Sequence, residues 1–139
     1  MAARVRASFG RQAMMATLGV ELLAVERGRV ELAMDHDDRF TQQHGFLHGG
    51  AVTALLDTAC GYAAFSTMPP TAAVLTVSFT TNLMAPAAGR RFLVTGEVVR
   101  AGRTLVVCHA HAVADGAPKP LAVMQATLTA VYDRPGITH

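Results

Sequence analysis

Residues 48–66, with the sequence HGGAVTALLDTACGYAAFS, constrain the fold of this chain more than any other segment. Alanine and leucine favour a helix here, and the following Met68-Pro69-Pro70 sequence stops it, so we expect one helix of roughly 48–66. Its apolar residues point in nearly every direction around the helix axis. A helix that is apolar on all sides is a buried helix, and the rest of the chain must therefore surround it.

The segments around this helix have the composition of β-strands. Four segments rich in Val, Thr and Leu follow it, at residues 73–86, 91–100, 103–115 and 120–133. The junctions between them are short, which predicts an antiparallel meander. Before the central helix, Val20–Val25 and Arg29–Met34 are typical of a hairpin.

Together these elements predict an α+β fold, in which a curved antiparallel sheet of five to six strands wraps a long central helix. With 139 residues the chain is long enough for one core and too short for two ordinary domains. We expect a single domain over residues 1–139, with an N-terminal helix at about 5–18 and a core at about 20–133.

Charge and composition argue against several classes of function. The 12 basic residues exceed the 10 acidic ones by only two and are scattered, so we expect no nucleic-acid partner, whereas a small anionic ligand is compatible. The longest apolar run, residues 51–65, contains Asp57 and is too short for a membrane span. Cys60 and Cys108 lack CxxC spacing, which favours buried free thiols. We therefore expect an unexported, cytoplasmic protein that does not bind membranes.

Asp57 is the unusual residue of the central helix. The positions three and four residues away hold Thr53, Ala54, Cys60 and Gly61, so no basic side chain of the same helix neutralises it. A buried carboxylate without a partner costs several kcal/mol. Asp57 is thus either a structural residue that accepts hydrogen bonds from a strand or faces solvent, or a functional carboxylate in a cleft.

His48-Gly49-Gly50 begins the same helix, where free N–H groups suit an anion or a carbonyl oxygen that gains charge. Taken alone, the two glycines are better explained by a loop that turns into a helix, and the functional interpretation depends on their combination with Asp57. Gly49 and Asp57 are eight residues apart, or roughly 12 Å along a helix, which is too far to act on one carbonyl group. If both serve one reaction, a symmetric homodimer must bring Gly49 of one subunit to Asp57 of the other.

The segment QQHGFLHGGAVTALLDTACGYAA, followed by a strand that ends in NLMAPAAG, is similar to hotdog-fold thioesterases of the phenylacetic-acid-degradation and thioesterase-superfamily-member-2 type. The resemblance spans about residues 15–133. It is carried by the HGG motif, the Asp nine residues after its His, and the downstream P-x-x-G. It implies a hotdog fold and hydrolysis of an aryl- or medium-chain acyl-CoA by a homodimer that assembles into a homotetramer.

The resemblance also implies catalytic roles. Asp57 would act as nucleophile or as general base, and the Gly49 amide would polarise the thioester carbonyl. Gln42 stands where many relatives have Asn and would orient the reactants. Thr76 is the best match to a hydroxyl residue that positions water, although it is equally explained as an ordinary strand threonine. His48 is expected to fix the start of the helix rather than to transfer protons.

Further residues are expected to bind the substrate. By its position in the family, the Arg103-Thr104 turn is expected to meet the CoA phosphates, and Arg91 is a second candidate; solvated turn arginines are the alternative. Gly50 and Phe46 are expected beside the substrate. No metal and no cofactor is needed for this chemistry.

Two functions other than thioester hydrolysis remain as alternatives. A hotdog dehydratase or hydratase would act on a 3-hydroxyacyl or enoyl thioester with a His and an acidic residue, and a noncatalytic module would bind acyl-CoA without turnover. A metal site is disfavoured because His44 with His48, and His109 with His111, lack a carboxylate or cysteine at ligand spacing. A serine hydrolase is disfavoured because no G-x-S-x-G motif is present.

Overall fold

The computed structural model describes residues 1–137 and contains one long helix against one sheet. The helices and strands, in chain order, are α1 (Ala2–Phe9), α2 (Ala13–Leu18), β1 (Glu21–Glu26), β2 (Arg29–Asp35), α3 (Gly49–Thr67), β3 (Ala73–Leu83), β4 (Arg91–Ala101), β5 (Leu105–Ala114) and β6 (Ala122–Val131). A 3-10 turn at Asp38–Phe40 lies in the loop between β2 and α3. None of the helices formed by these described residues is long and apolar enough to cross a membrane.

The six strands form one antiparallel sheet in the order β1-β2-β4-β5-β6-β3, and α3 packs against all of them. This confirms the predicted α+β hotdog architecture, including the central helix, which begins and ends within one residue of its predicted bounds. The predicted opening hairpin is also present as β1 and β2.

The predicted meander is wrong for β3. Strands β4, β5 and β6 are joined as neighbours, but β3 pairs with β6 and so lies three strand positions from β4. The connecting residues 84–90 cross the end of the sheet, a distance of roughly 14 Å at about 4.8 Å per strand. Seven residues can reach about 23 Å when extended, so a short junction does not require a hairpin. The crossing leaves β3 as an edge strand.

The predicted N-terminal helix at 5–18 is in fact two short helices. The chain turns between α1 and α2, where Gly10 ends the first helix and Gln12 starts the second. Glycine has a low helix propensity, and the break lets both pieces pack inward, with Val5 and Met15 almost fully buried. The pair covers the C-terminal half of α3, where Phe9 meets the Tyr62 ring edge to face at 5.7 Å.

Burial of α3 is not uniform. Its last third is enclosed, in agreement with its apolar sequence, but Thr53, Ala54, Asp57, Thr58 and Gly61 remain partly exposed. Their spacing of three and four residues places them in one stripe along the helix. This stripe is where α3 can be reached from outside, and Asp57 lies in its middle.

Strand β4 approaches the opposite side of α3 more closely than a side chain would allow. A Cβ atom added at Gly96 would lie 2.4 Å from the carbonyl carbon of Ala59 and 2.5 Å from its oxygen. The helix backbone therefore rests on the strand backbone at this point. The contact between Gly96 and Ala59 therefore sets the distance between α3 and the sheet, and with it the position of Asp57 relative to the sheet.

Candidate active site

The Asp57 carboxylate is oriented by a neighbouring strand. The Thr76 hydroxyl of β3 donates a hydrogen bond to Asp57 Oδ1 at 2.8 Å. Both residues line a cavity of about 280 Å³ between α3, β3 and α2, which we call the Asp57 cavity. Its remaining wall is mostly apolar and includes Met14, Met15 and Leu128. The structure thus brings together two of the residues that the sequence singled out.

The start of α3 presents an unpaired amide. His48 is the N-cap residue, and its Nδ1 accepts a hydrogen bond from the Gly50 amide at 2.8 Å. His48 therefore has the helix-starting position that was expected of it. The carbonyl oxygen of His48 accepts the amides of Ala51 and Val52. Within residues 1–137 no group accepts a hydrogen bond from the Gly49 amide, which leaves this donor available to a ligand.

Gly49 lines a second cavity of about 300 Å³, which we call the Gly49 cavity. Gln42, Phe46, Leu83 and Met84 line it as well. The side-chain oxygen of Gln42 accepts the backbone amide of His44, so that its NH₂ group remains free to donate. The loop of residues 42–46 closes on itself through a hydrogen bond from the Gln42 amide to the Phe46 carbonyl at 2.9 Å.

Gly49 and Asp57 lie in different cavities of one chain. Both belong to α3, so the eight residues between them correspond to roughly 12 Å along the axis. The structure therefore keeps the separation that the sequence predicted. A single copy offers a carboxylate at one place and an amide donor at another.

The arginines expected to bind CoA lie at opposite ends of β4. Arg91 donates to Glu21 at 2.9 Å and to Asp35 at 2.8 Å, and the hydrogen bond to Glu21, followed by that to Asp35, raises its pKa above the usual range. It is thus already neutralised by two carboxylates. Arg103 and Thr104 lie in the exposed turn after β4 and line neither cavity. The Thr104 carbonyl accepts the Ala130 amide at 2.8 Å, which fixes this turn against β6.

The sequence did not point to the residues that α2 and the far part of α3 add to the Asp57 cavity. These are Gln12, Met14, Met15 and Tyr62. Among these residues, only Tyr62 gave a local signal, because its hydroxyl is polar in an otherwise apolar helix segment. The sequence of residues 1–20 does not indicate which part of the core this segment covers. Only the fold places α2 over the stripe that contains Asp57.

Neither cysteine is suited to be a nucleophile. Cys60 and Cys108 are completely buried. Burial raises the pKa of Cys108 to about 12, and burial, followed by the nearby Cys108 and Asp57, also raises the pKa of Cys60. The reactive thiolate form is therefore scarce at neutral pH.

No group of three or more His, Cys, Asp or Glu side chains within the described part of the chain could hold a metal ion.

Comparison with known proteins identifies the family. Residues 44–120, more than half of the chain, match the family model of the thioesterase superfamily. A solved thioesterase family protein from Silicibacter pomeroyi is 54% identical, covers 94% of this chain and 98% of its own, and superposes with a TM-score of 0.92. The PaaI protein from the phenylacetic acid degradation operon of E. coli shares the fold with a TM-score of 0.83, at 23% identity over 91% of this chain and 89% of its own.

Two curated relatives are more distant in sequence. The 1,4-dihydroxy-2-naphthoyl-CoA hydrolase of Listeria monocytogenes is 24% identical over 112 residues, which are 81% of this chain and 90% of that protein. A protein of Saccharolobus solfataricus is 30% identical over 90 residues, so the match covers 65% of this chain and 64% of that protein, slightly less than two thirds of its length. The resemblance predicted from the HGG segment is therefore confirmed: the chain belongs to the thioesterase superfamily and is a thioester hydrolase of the hotdog fold.

Proposed function

We propose that the protein hydrolyses an aryl- or medium-chain acyl-CoA to the free acid and CoA, at a site shared between two copies of the chain. The observation that carries this proposal is a pair of groups on α3: a carboxylate held by Thr76 at 2.8 Å, and an amide donor at Gly49 for which residues 1–137 offer no acceptor. The acyl-CoA substrate of the Listeria relative is consistent with it.

Each group has a role in such a reaction. The Gly49 amide donates to the thioester oxygen as it gains negative charge, and the start of a helix favours charge of that sign. Asp57 either removes a proton from an attacking water or attacks the carbonyl carbon itself, and the thiolate of CoA leaves. Thr76 holds the carboxylate, while the free NH₂ group of Gln42 orients the thioester or the water beside Gly49. For the CoA phosphates Arg103 is the better candidate, because Arg91 is already paired.

An edge strand supplies the means of bringing two copies together. Strand β3 is at the end of the sheet, is 11 residues long, and exposes apolar side chains that include Val77 at 58% and Phe79 at 46%. A long apolar edge strand exposes unpaired backbone groups and is unfavourable in a monomer. The Thr81 hydroxyl also lies on β3 and is the one buried side-chain oxygen or nitrogen without a partner in the described residues.

The contacts of α3 with β3 also suggest a register for this pairing. Gly49 lies against Leu83, since a Cβ atom at Gly49 would be 2.5 Å from Leu83 Cδ1, whereas Asp57 lies against Thr76. If Leu83 of one copy stands opposite Thr76 of the other in an antiparallel pair, the bulge between Thr76 and Ser78 places the two-fold axis at Thr80. Each Gly49 amide then comes to the Asp57 carboxylate of the other copy, and two equivalent sites result.

The decisive assay is release of free thiol from a panel of benzoyl-, phenylacetyl-, short- and medium-chain acyl-CoAs. Asp57→Asn keeps the shape of the side chain and removes its charge, and we expect kcat to fall by at least about 10²-fold, with the melting temperature little changed. Asp115→Asn is the matched control, because Asp115 is exposed and lines neither cavity.

Three results would contradict the proposal. Full activity of Asp57→Asn would remove Asp57 from the mechanism. No thiol release from any substrate, together with acyl-CoA binding in calorimetry, would indicate a binding module, and interconversion of enoyl- and 3-hydroxyacyl-CoA would indicate a hydratase. Sedimentation of the same sample distinguishes a dimer from the tetramer that the resemblance implies.

A further inference from the structure

The far end of the Asp57 cavity, beside Tyr62, is built in part by the N-terminal segment, residues 1–20, which lies outside the residues that match the family model. Gln12, Met14 and Met15 line the cavity, whereas the match covers residues 44–120. If the acyl group of the substrate enters this cavity, the N-terminal segment touches it opposite the reacting carbonyl. The inference below therefore rests on the proposed function and concerns which acyl group the site accepts.

A small polar network lies at this end of the cavity. The Tyr62 hydroxyl and the Ser8 hydroxyl are 3.1 Å apart, and both residues are buried, at 3% and 5% exposure. Burial raises the pKa of Tyr62, which keeps its hydroxyl protonated, while hydrogen bonds from the side chains of Ser8 and Gln12 partly oppose this. Gln12 is the member of this network that is only partly buried and that also lines the cavity together with Tyr62.

Gln12 has hydrogen-bonding capacity to spare. A glutamine amide offers two N–H donors and a carbonyl oxygen with two lone pairs, and its interaction with the Tyr62 hydroxyl occupies at most one of these four. Around it the wall is apolar, with Met14 and Met15 on α2 and Leu128 on β6. A ligand that reaches this end meets the Gln12 amide beside Tyr62 on an otherwise apolar surface, and a few polar groups on an apolar wall are the usual arrangement of a pocket that fixes a ligand's orientation.

The length of the cavity limits what can reach it. Asp57 and Tyr62 are five residues apart on α3, or roughly 7.5 Å along the axis, and Met15 is almost fully buried behind them. The whole space is about 280 Å³. This suits one six-membered ring with a substituent better than an extended medium-chain acyl group.

From these observations we propose that Gln12 is a specificity-determining residue, which receives a hydrogen-bonding group at the far end of a compact acyl chain. The acyl groups favoured by such a site are single-ring aryl groups with a hydroxyl opposite the thioester carbonyl. A site that hydrogen-bonds a substrate hydroxyl discriminates strongly against an analogue without it, because its own polar group is then left unpaired. Gln12 is partly exposed, so we expect a preference of about tenfold rather than the largest values known.

The test compares kcat/KM for 4-hydroxybenzoyl-CoA and 4-methylbenzoyl-CoA, which have nearly the same shape. We expect the wild-type protein to favour the hydroxyl compound by about tenfold or more, and Gln12→Leu to reduce this ratio to about one. Gln125→Leu is the matched control, since Gln125 is an exposed residue of β6 that lines neither cavity. Gln12→Asn, which shortens the side chain but keeps the amide, should give an intermediate ratio and serves if the leucine variant does not fold.

The outcomes separate this inference from the proposed function. Three results would overturn the role of Gln12 and leave the thioesterase proposal intact. They are a wild-type ratio of kcat/KM near one, an unchanged ratio in both Gln12 variants, and faster hydrolysis of decanoyl-CoA than of either aryl substrate. Failure to hydrolyse any acyl-CoA would overturn both. A ratio that falls in the Gln12 variants and persists in Gln125→Leu would support the role of Gln12.

Discussion

At the scale of single residues, the amide of Gly49 can be removed without removing the helix that carries it. Gly49 is the first residue of α3, a position where proline is favoured because its missing N–H has no partner in the helix. The preceding His48 has φ −59° and ψ 136°, which a residue before proline can adopt. A Cβ atom here would meet the tip of Leu83, so the variants are best made in a Leu83→Ala background.

Gly49→Pro is then expected to lower kcat by about 10² to 10³-fold, the usual effect of losing one oxyanion donor. Gly49→Ala in the same background adds the same Cβ atom but keeps the N–H, and should retain most of the activity of the parent. The measurement is steady-state thiol release, with circular dichroism to confirm that α3 is intact. Equal losses in the two variants would mean that steric effects, and not the amide, explain the result.

The two buried thiols give a prediction about alkaline pH. In the unfolded chain a thiol ionises at about pH 8.5, whereas folding raises the pKa of Cys108 to about 12 and also raises that of Cys60. The folded protein therefore holds these protons more tightly, so the thiols contribute stability that is complete below about pH 8.5 and is lost as the pH rises toward 12. Urea unfolding at a series of pH values should show this decline, and it should be smaller in Cys60→Ala/Cys108→Ala.

Labelling provides an independent check on the thiols. At about pH 8, iodoacetamide should modify neither cysteine of the native protein and both cysteines in urea, because the thiolate is the reacting form. Rapid modification of the folded protein would show that one thiol is accessible, contrary to its complete burial.

The residues of the site differ in how much the sequence could say about them. Asp57 and Gly49 could be proposed as site residues from the sequence because a lone acid in an apolar helix and a glycine pair at a helix start are local signals. The contact of Thr76 with Asp57 depends on a long-range register between β3 and α3, and the resemblance supplied only the position. Gln12 had no signal, since its place in the cavity depends on how two short helices dock.

At the scale of secondary-structure elements, the contact between β4 and α3 predicts opposite effects for two glycines. A Cβ atom at Gly96 would lie 2.4–2.9 Å from three atoms of Ala59, two of them backbone atoms that cannot move aside. We expect Gly96→Ala to destabilise the protein by about 1–3 kcal/mol or more through overpacking. At Gly61, within α3, the added atom would be 3.7 Å from Leu128, and Gly61→Ala should stabilise by about 0.5–1 kcal/mol through helix propensity.

Equilibrium urea unfolding of both variants measures these changes. If Gly96→Ala unfolds at the same urea concentration as the wild type, the close approach of strand and helix would be wrong. Because Gly96 sets the depth of α3, Gly96→Ala should also displace Asp57 and lower the rate of thiol release. The rate should fall even at urea concentrations where the variant is still folded, whereas a loss of stability alone would leave it unchanged there.

Among the elements, α3 and the strands were predictable because their signals are local: apolar periodicity, β-branched residues, and Gly or Pro at the ends. The position of β3 in the sheet was not, since a seven-residue connection is compatible with either a hairpin or a crossing. The break between α1 and α2 was missed because a single glycine only weakens a helix, and docking onto α3 decides whether the chain turns there.

At the scale of the whole molecule, the proposed shared site can be tested by mixing two inactive variants. Asp57→Asn would lack the carboxylate in both sites of its homodimer, and Gly49→Pro in the Leu83→Ala background would lack the amide donor in both. In a mixed dimer, one site combines both defects, whereas the other combines the intact Gly49 of one chain with the intact Asp57 of the other. If subunits pair at random, half of the dimers are mixed and each has one good site of two, so about a quarter of the wild-type activity should return.

This recovery is specific to a site built across the interface. If Gly49 and Asp57 of the same chain acted together, every site in every dimer would carry one defect and mixing would restore nothing. Unfolding and refolding the two variants together allows exchange, whereas mixing the folded proteins briefly is the control for exchange itself. A proline in the edge strand, as in Thr80→Pro, should prevent both pairing and recovery, because β3 offers its free backbone groups at the proposed two-fold axis. Recovery that persists in this variant would place the shared interface elsewhere on the molecule than at β3.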